Sequence, residues 1–251
     1  MPPYTPIGEP FIELGEVDSS NNYAMRQIEA HLAEHGTTWF SRHQKAGKGQ
    51  RGKTWEAEPD SSIIISTVVT PTPNLYGNQF LLSMTVALAC HDFFGSYALN
   101  DTKIKWPNDI YWKDRKAGGI LIESILNGHS WRYAVIGIGV NINQTLFPPD
   151  LINAVSLRQI TGKTYNVTDL AKELCACLES RWQQLQVASG HNLVEEYIDN
   201  LYKRGEQVTF KKDNRIFTGV VDGVTAKGEL LINNGTQTAF TFGTIDWLMV
   251  R

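Results

Sequence analysis

The amino-acid sequence predicts an α+β protein: a mixed β-sheet flanked by helices, followed by a small β-barrel. Three observations support this prediction. The chain has 251 residues, 42% of them hydrophobic, which is enough for a large core and a smaller second one. Up to residue 203, segments of helical periodicity alternate with β-branched runs. Beyond it, short strands recur at the spacing typical of small barrels.

The predicted helices each have an apolar face. In the first helix, Ala24, Ile28 and Leu32 share one face, Ser and Asn residues offer caps, and Gly36 marks the end. The second helix is almost wholly apolar, and Gly95 is expected to close it. Helices are therefore predicted over 19–35, 78–94, 167–187 and 192–202.

The predicted strands of the first part are rich in β-branched and aromatic residues. A turn at 107–109 separates two short strands, and Asn127-Gly128, a strong hairpin signal, joins two long ones. Residues 144–154 are predicted to be a loop. The strands are expected over 37–42, 61–69, 103–106, 110–112, 116–126 and 130–143.

The C-terminal part is predicted to be a closed or nearly closed β-barrel, because short alternating strands are separated by turn-forming residues. The turns are expected at 212–214, 226–228 and 234–235. The strands are expected over 207–210, 215–221, 229–233, 238–242 and 246–250.

Charge and cysteine usage narrow the function classes. The net charge of −3 and pI of about 6.1 give no global positive field, so neither nucleic acid nor a membrane surface is expected as a partner. Cys90, Cys175 and Cys177 cannot all pair with one another, which favours reduced thiols in a cytoplasmic protein. Residues 1–10 lack signal-peptide character, and no apolar run approaches the ~20 residues of a spanning helix.

The stretch KAGKGQRGKTW, residues 45–55, carries four cations and three glycines in a mildly acidic chain. It matches both G-x-G-x-x-G and G-x-x-x-x-G-K-T, patterns that deliver phosphates to a following helix. Pro59 falls where that helix would run, so both matches are interpreted as accidental. Two alternatives remain: a solvated surface loop, or a mobile loop that orders around an anion, with Trp55 placed to stack on a planar base.

A second group of residues lies in one short antiparallel ribbon. At ~3.3 Å per residue, Asp109 and Lys116 can share one face of a site about 10 Å across. The plain alternatives are a type I turn at 107–109 and a turn cation that balances Asp114.

Glycines occur in both strands of the long hairpin. Gly118-Gly119 lies in one strand, and Gly137 and Gly139 lie in the other. Glycines weaken a strand unless a bulge or a close ligand requires them. Both strands therefore lose side chains toward one side, which makes room for a ligand.

Five motifs together resemble the biotin–protein ligase family. They are VDSSN (17–21), QKAGKGQRGKTW (44–55), KWPND (105–109), DRKAGGILIE (114–123) and IGIGVNIN (136–143). Their order and spacing fit the family over nearly the whole chain. The resemblance implies a catalytic biotin- and ATP-binding domain over 1–203 and an SH3-like barrel over 204–251, of the monofunctional type without an N-terminal DNA-binding domain.

The resemblance also implies a two-step reaction. Biotin and ATP give biotinyl-AMP and pyrophosphate with the help of Mg²⁺, and biotin then passes to a lysine. That lysine belongs to a biotin carboxyl-carrier domain of a biotin-dependent carboxylase. The loop 45–55 is expected to be disordered when empty and to fold over the ligand. The resemblance leaves a homodimer open.

The resemblance assigns site residues by their places in the motifs. Lys116, Arg51 and Asp109 would be catalytic, with Lys116 bridging the biotin carboxylate and the α-phosphate, and Asp109 the metal ligand. The biotin-binding residues would be Ser19, Ser20, Asn21, Gln44, Gly47, Lys48, Gly49, Gln50, Lys116 and Gly119. The nucleotide-binding residues would be Lys48, Arg51, Lys53, Trp55, Lys105, Asn108 and Asn141.

Two positions depart from the family's usual loop, in which arginines stand where this chain has Lys48 and Gln50. Lysine keeps the charge without the bidentate fork, and glutamine loses the charge. We therefore expect this loop to retain the adenylate less firmly than an arginine version.

Three other functions are weighed against biotin ligation. Attachment of lipoate or octanoate uses a related catalytic fold, but the loop pattern differs. A biotin-sensing transcriptional regulator would need several tens of residues before VDSSN, where this chain has sixteen, and its acidic charge disfavours DNA. An interaction module built on the barrel would leave the glycine-bearing and cationic strands unexplained.

Overall fold

The structure, a computed structural model, describes residues 4–128, 130–187 and 191–248. In this part of the chain the α-helices are α1 (Ser20–Glu29), α2 (Gln79–Ala98), α3 (Leu157–Thr161), α4 (Val167–Val187) and α5 (His191–Asp199). The strands are β1 (Phe11–Val17), β2 (Thr38–Gln44), β3 (Ser62–Val69), β4 (Thr102–Lys105), β5 (Asp109–Trp112), β6 (Arg115–Asn127), β7 (Ser130–Asn141), β8 (Gln207–Lys212), β9 (Arg215–Val224), β10 (Leu230–Asn233), β11 (Gln237–Phe240) and β12 (Asp246–Leu248). The predicted α+β class is confirmed.

The first seven strands form one mixed sheet in the order β1-β2-β3-β7-β6-β5-β4. Strand β1 is parallel to β2, and every other neighbouring pair in this sheet is antiparallel. The outer edge of β4 is covered, because the Ile104 N–H donates to the Asn200 carbonyl and the Tyr202 N–H donates to the Ile104 carbonyl.

The two faces of the sheet have different roles. Alternate residues such as Ile63, Ile65 and Ile138 point into the main core, where helices α2, α4 and α5 pack. On the opposite face, helix α1 covers one end of β3 and β7 through a small apolar cluster. The rest of this second face is left for the glycines and polar residues described below.

A β-bulge interrupts the pairing of β5 with β6. Asp109 pairs with Gly119 and Ile110 with Gly118, but Tyr111 pairs with Lys116, so Ala117 is the additional residue. In a regular ladder Lys116 would point to the core face. The bulge instead places it on the same face as Asp109 and Gly119.

The C-terminal strands form a five-stranded antiparallel sheet in the order β11-β10-β9-β8-β12. All five predicted strands are present, although residues 249–250 of the last one lie outside the described residues. Asp213, Gly228 and Gly235 have positive φ at the three predicted turns. Within the described part of the chain the edge strands β11 and β12 do not pair with each other, so the sheet is open rather than closed into a barrel.

Two helix ends were predicted wrongly. Helix α1 ends at Glu29 rather than near residue 35, because His31 takes φ 58° and the Leu32 N–H reaches back to the Gln27 carbonyl. Helix α2 continues through Gly95 to Ala98. Burial of the apolar residues around Gly95 outweighs the cost of about 1 kcal/mol for a glycine in a helix.

Two further elements were not predicted. Strand β1 has mostly exposed or half-buried side chains, because it is the sheet edge and has no fully apolar face. The short helix α3 is capped by Ser156, whose hydroxyl accepts from the Gln159 N–H. No helix in the described ranges has the length and apolar character needed to cross a membrane.

Candidate active site

A cavity of about 440 Å³ lies on the second face of the large sheet. Its floor is the centre of β7 and β6, one side is the loop 45–55, and another is the C-terminal sheet. Every site residue predicted from the sequence lines it except Gly47. The cavity therefore brings together motifs that are up to about 120 positions apart in the chain.

The predicted glycine floor is present. Gly119 and Gly139 are direct partners in the β6–β7 ladder, and Gly137 is the next residue on the same face of β7. A Cβ atom at Gly139 would lie 2.4 Å from the Trp55 indole, and one at Gly137 would lie 2.3 Å from Asn21 Oδ1. The missing side chains thus admit two specific groups, an indole and a carboxamide.

The loop 45–55 is folded over the cavity. The Trp55 N–H donates to the Gly47 carbonyl, and the Gly49 N–H donates to the Lys53 carbonyl, which closes a small hairpin. Gly47 lies outside the cavity because its backbone is pressed against the Trp55 carbonyl, 2.3 Å from a hypothetical Cβ. Arg51 takes φ 56°, a left-handed conformation that is strained for a side-chain-bearing residue.

No regular α-helix follows this loop: after a single 3₁₀ turn at 50–52, the next element is strand β3. The interpretation that both phosphate-loop patterns are accidental is therefore confirmed. The expected disorder of the empty loop stays a prediction.

One end of the cavity is polar and uncharged. The Ser20 backbone N–H donates to Gln44 Oε1 at 2.6 Å, and Ser20 Oγ lies 3.0 Å from the same oxygen. Asn21 and Ser19 are also almost fully buried here, as the first residues of helix α1 and its cap. This end offers hydroxyl and carboxamide groups of fixed orientation to a polar, neutral ligand group.

The other end is cationic. Lys116 Nζ lies 2.7 Å from Asp109 Oδ1, and both groups flank Gly119 at 3.4 and 3.5 Å from its hypothetical Cβ. The ammonium also lies 5.9 Å from the centre of the Trp55 ring. Because the bulge at Ala117 sets this face, Lys116 points into the cavity with one carboxylate as its partner.

Lys105 lies beside this pair and is held by two aromatic rings. Its Nζ donates to the Tyr111 hydroxyl at 3.1 Å and lies 5.5 Å from the centre of the Trp247 ring. Burial, opposed by Asp109 and reinforced by Lys116 and Lys53, lowers the pKa of Lys105 to about 8. Lys105 is therefore still mostly protonated at pH 7, and it loses its positive charge as the pH rises past about 8.

The C-terminal sheet closes the cationic end. Phe242, Ile245, Asp246 and Trp247 line the cavity, and Arg51 lies against Gly243, where a Cβ would be 3.3 Å from the guanidinium carbon. These wall residues were not predicted from the sequence, because nothing in the local pattern of a short strand or turn indicates which other element it will pack against. The ring of Phe242 contacts that of Trp106, and this contact between distant parts of the sequence exists only in the folded protein.

Two predicted nucleotide-binding residues have structural partners. The Asn108 side chain donates to the Ile120 carbonyl at 2.6 Å, and the Asn141 side chain donates to the Val155 carbonyl at 3.1 Å. Both carboxamide nitrogens are therefore occupied in part by the fold.

Sequence reasoning also missed Ser66 and the carboxylate of Glu123, which hydrogen-bond to Asn21 from outside the cavity lining. Ser66 Oγ donates to Asn21 Oδ1 at 2.6 Å, and Glu123 Oε2 accepts from Asn21 Nδ2 at 2.8 Å. The strand pattern contains a signal for both, since Ser66 and Glu123 interrupt apolar runs on the face shared with Gly137.

The carboxylates of the cavity determine whether it can hold a divalent metal. In residues 4–128, 130–187 and 191–248, no cluster of three or more His, Cys, Asp or Glu side chains is arranged to hold one. Asp109 lies beside Lys116, and Asp246 of the C-terminal sheet also lines the cavity. This set fits Mg²⁺ that arrives on phosphates and takes one protein carboxylate.

Comparisons with known proteins identify the family to which the chain is similar. The sequence model of the Biotin/lipoate A/B protein ligase family matches residues 14–141, and that of the Biotin protein ligase C terminal domain matches residues 204–247. The biotin--[acetyl-CoA-carboxylase] ligase of Paracoccus denitrificans is 27% identical over 227 residues, which cover 87% of this chain and 92% of that protein. The bifunctional ligase/repressor BirA of Bacillus subtilis is 26% identical over 231 residues, covering 90% and 71%.

Solved structures show the same fold. The biotin protein ligase from Aquifex aeolicus in complex with biotin and ATP has a TM-score of 0.80 and 23% identity, and the match covers 96% of this chain and 99% of that one. The biotin protein ligase from Leishmania major in complex with biotinyl-5-AMP has a TM-score of 0.65 and 20% identity, with coverage of 96% and 98%.

Proposed function

Because the chain belongs to the biotin/lipoate A/B protein ligase family, whose model matches just over half of its residues, we propose that it activates biotin with ATP and transfers it to a carrier lysine. The observation that carries this proposal is the polarity of one continuous cavity. Neutral hydrogen-bonding groups stand at one end and cations at the other, with the glycine floor between them. Such a cavity suits an acid with a polar ring whose carboxylate must meet a nucleotide.

In the first step, a biotin carboxylate oxygen attacks the α-phosphorus of ATP. The new bond is the acyl–phosphate linkage of biotinyl-AMP, the bond between the α-phosphorus and the bridging oxygen breaks, and pyrophosphate leaves with the electron pair. In this step Lys116 would hold the two anions together, and Lys105 and Arg51, which also line the cavity, would balance the negative charge. Mg²⁺ on the phosphates would reduce their charge further, with Asp109 as its protein ligand.

In the second step, a lysine amine of the carrier attacks the acyl carbon. An amide forms, AMP leaves, and the amine proton passes to solvent. The folded loop and Trp55 line the cavity in which the anhydride would lie, and they would protect it from water until the amine arrives.

The neutral end favours biotin over lipoate and octanoate. Ser20 and Asn21 are buried, Gln44 is half-buried, and all three carry groups that can hydrogen-bond to a polar ring. A dithiolane or alkyl chain could form no hydrogen bond with these groups, so the neutral end would give it less affinity than it gives a polar ring.

The direct test is acid-dependent ATP–pyrophosphate exchange with Mg²⁺, offering biotin, lipoate and octanoate separately. Exchange with biotin alone is expected. Exchange with lipoate or octanoate would instead assign the protein as a ligase for that acid. Absence of exchange with all three acids would contradict the proposed activity.

The cavity predicts a pH dependence of nucleotide binding. In the empty site the pKa of Lys105 is about 8, and bound phosphates would raise this pKa. Above pH 8 the complex therefore keeps the Lys105 proton, which the free protein loses. The affinity for the nucleotide should accordingly fall by up to about tenfold per pH unit as the pH rises beyond 8. Below about pH 7 the affinity should not change with pH, because Lys105 is protonated in both the free protein and the complex.

This dependence is measured by calorimetric titration of a non-hydrolysable ATP analogue in the presence of biotin. The matched variant is Lys105→Arg, whose guanidinium stays charged throughout and should give a flat profile. A wild-type profile without a fall above pH 8 would remove Lys105 from this role.

Gln50 provides a further prediction. It lines the cavity, and its Oε1 is buried without a hydrogen-bond partner among the described residues. Gln50→Arg should slow dissociation of biotinyl-AMP roughly tenfold, because a charge-assisted hydrogen bond contributes about 1.5 kcal/mol. Release of radiolabelled biotinyl-AMP measures this rate, with Gln207→Arg on the exposed edge of β8 as the control. An unchanged rate would contradict the assignment.

The carrier domain of a biotin-dependent carboxylase is proposed as the protein partner, in keeping with the name of the Paracoccus relative. The homodimer and the cytoplasmic location stay predictions.

A further inference from the structure

One carboxylate joins the loop 45–55 to the neutral end of the cavity. Glu123 lies on β6, on the face that carries Gly119. Its Oε2 accepts from Asn21 Nδ2 at 2.8 Å, and its Oε1 lies 3.6 Å from Lys48 Nζ. Glu123 therefore contacts both the helix that begins the ring pocket and the loop that covers it.

The hydrogen bonds continue from Asn21 across the pocket. Asn21 Oδ1 accepts from Ser66 Oγ, Ser66 Oγ lies 2.8 Å from Ser20 Oγ, and the Ser20 N–H donates to Gln44. The side chains of Ser20, Asn21 and Ser66 are all at least 95% buried. Glu123 is thus linked through hydrogen bonds to Asn21, Ser20 and Gln44, three of the polar residues that would meet the ring.

The loop 45–55 has other contacts, but they do not involve the residues of the ring pocket. Lys45 pairs with Glu16 at 2.5 Å on the outer side of the loop base, and Arg51 lies against Gly243 of the C-terminal sheet. Among the ion pairs described for residues 45–55, Lys48 with Glu123 is the one that reaches the ring pocket. The pair requires the folded loop, because Lys48 forms a β-bridge with Thr54 across the hairpin.

We propose that Glu123 is a positioning residue that couples folding of the loop 45–55 to occupancy of the ring pocket. This inference rests on the proposed function. A ring that fixes Asn21 also fixes Glu123, and the fixed carboxylate holds Lys48 and with it the folded loop. By reciprocity, a folded loop strengthens binding of the ring.

The test combines hydrogen exchange with biotin binding. The Gly49 and Trp55 amides are hydrogen-bonded only within the folded hairpin, so their exchange rates report its opening. Glu123→Gln keeps an acceptor for Asn21 but removes the charge opposite Lys48. In the presence of biotin, this variant should exchange these amides roughly 2- to 5-fold faster and bind biotin more weakly by a similar factor, since the pair is partly exposed.

A double-mutant cycle separates coupling from general damage. Lys48→Met should speed exchange of these amides at least as much as Glu123→Gln does, and adding Glu123→Gln to Lys48→Met should cause no further increase. Glu16→Gln, which removes the outer pair with Lys45, is the matched control and should leave biotin-induced protection unchanged. Additive effects, or wild-type exchange in Glu123→Gln, would overturn the coupling. Absence of biotin protection in the unmodified protein would overturn the proposed function itself, and the coupling with it.

Discussion

Replacement of Lys116 by alanine should lower biotin-dependent ATP–pyrophosphate exchange by roughly 10³-fold, because it removes the cation best placed between the two reacting anions. The ammonium lies in the cavity at 2.7 Å from Asp109, and it flanks the glycine floor at Gly119. Without it, a carboxylate must approach a polyanion against uncompensated repulsion. The rate of pyrophosphate exchange at saturating biotin measures the loss directly.

The control for this variant is Lys113→Ala. Lys113 lies in the turn between β5 and β6, three residues from Lys116, and pairs with Asp101 at 3.7 Å on the exposed surface. This variant should keep near wild-type exchange, and both proteins should unfold at similar temperatures, since exposed ion pairs contribute about 0–1 kcal/mol. Substantial exchange in Lys116→Ala would assign the catalytic cation elsewhere, with Lys105 as the next candidate.

Replacement of Gly139 by valine should weaken biotin binding by roughly 10- to 100-fold, because overpacking of a tight site costs about 1–3 kcal/mol. A Cβ at this position would lie 2.4–2.7 Å from three atoms of the Trp55 indole. The backbone itself tolerates the change, since Gly139 lies in the extended strand β7 and valine favours strands. Titration calorimetry with biotin measures the effect.

Two further variants make this result specific. Gly15→Val places the same side chain in β1, where no heavy atom lies within 4 Å of a new Cβ, and it should bind biotin normally. Trp55→Ala combined with Gly139→Val removes the indole that the valine meets. Recovery of affinity would identify the indole contact as the cause, whereas normal binding by Gly139→Val alone would contradict the glycine floor.

Most of the site was predictable because its motifs carry unusual residues in local patterns. Paired glycines inside apolar strands indicated a cleared face, and the ladder places Gly119 opposite Gly139. The cationic loop was identified by the same reasoning, since Pro59 excluded a following helix.

The features that escaped prediction depend on long-range packing. The wall formed by Phe242 and Trp247 is set by how the C-terminal sheet docks, which no local spacing encodes. The early end of α1 depends on a left-handed residue at His31, a conformation that histidine adopts without any distinct pattern. Glu123 was overlooked because an isolated carboxylate in a strand usually faces solvent.

The single extra residue at Ala117 has a consequence for anyone who transplants this ribbon into another scaffold. A graft could keep the spacing between Lys116 and Gly119 but pair the two strands regularly. The lysine ammonium would then point to the apolar core face of the host sheet. In a regular ladder a lysine at position 117 would share the face of Gly119, but it would lie one residue closer to that glycine than Lys116 does here. The irregularity must travel with the motif as part of its sequence requirement.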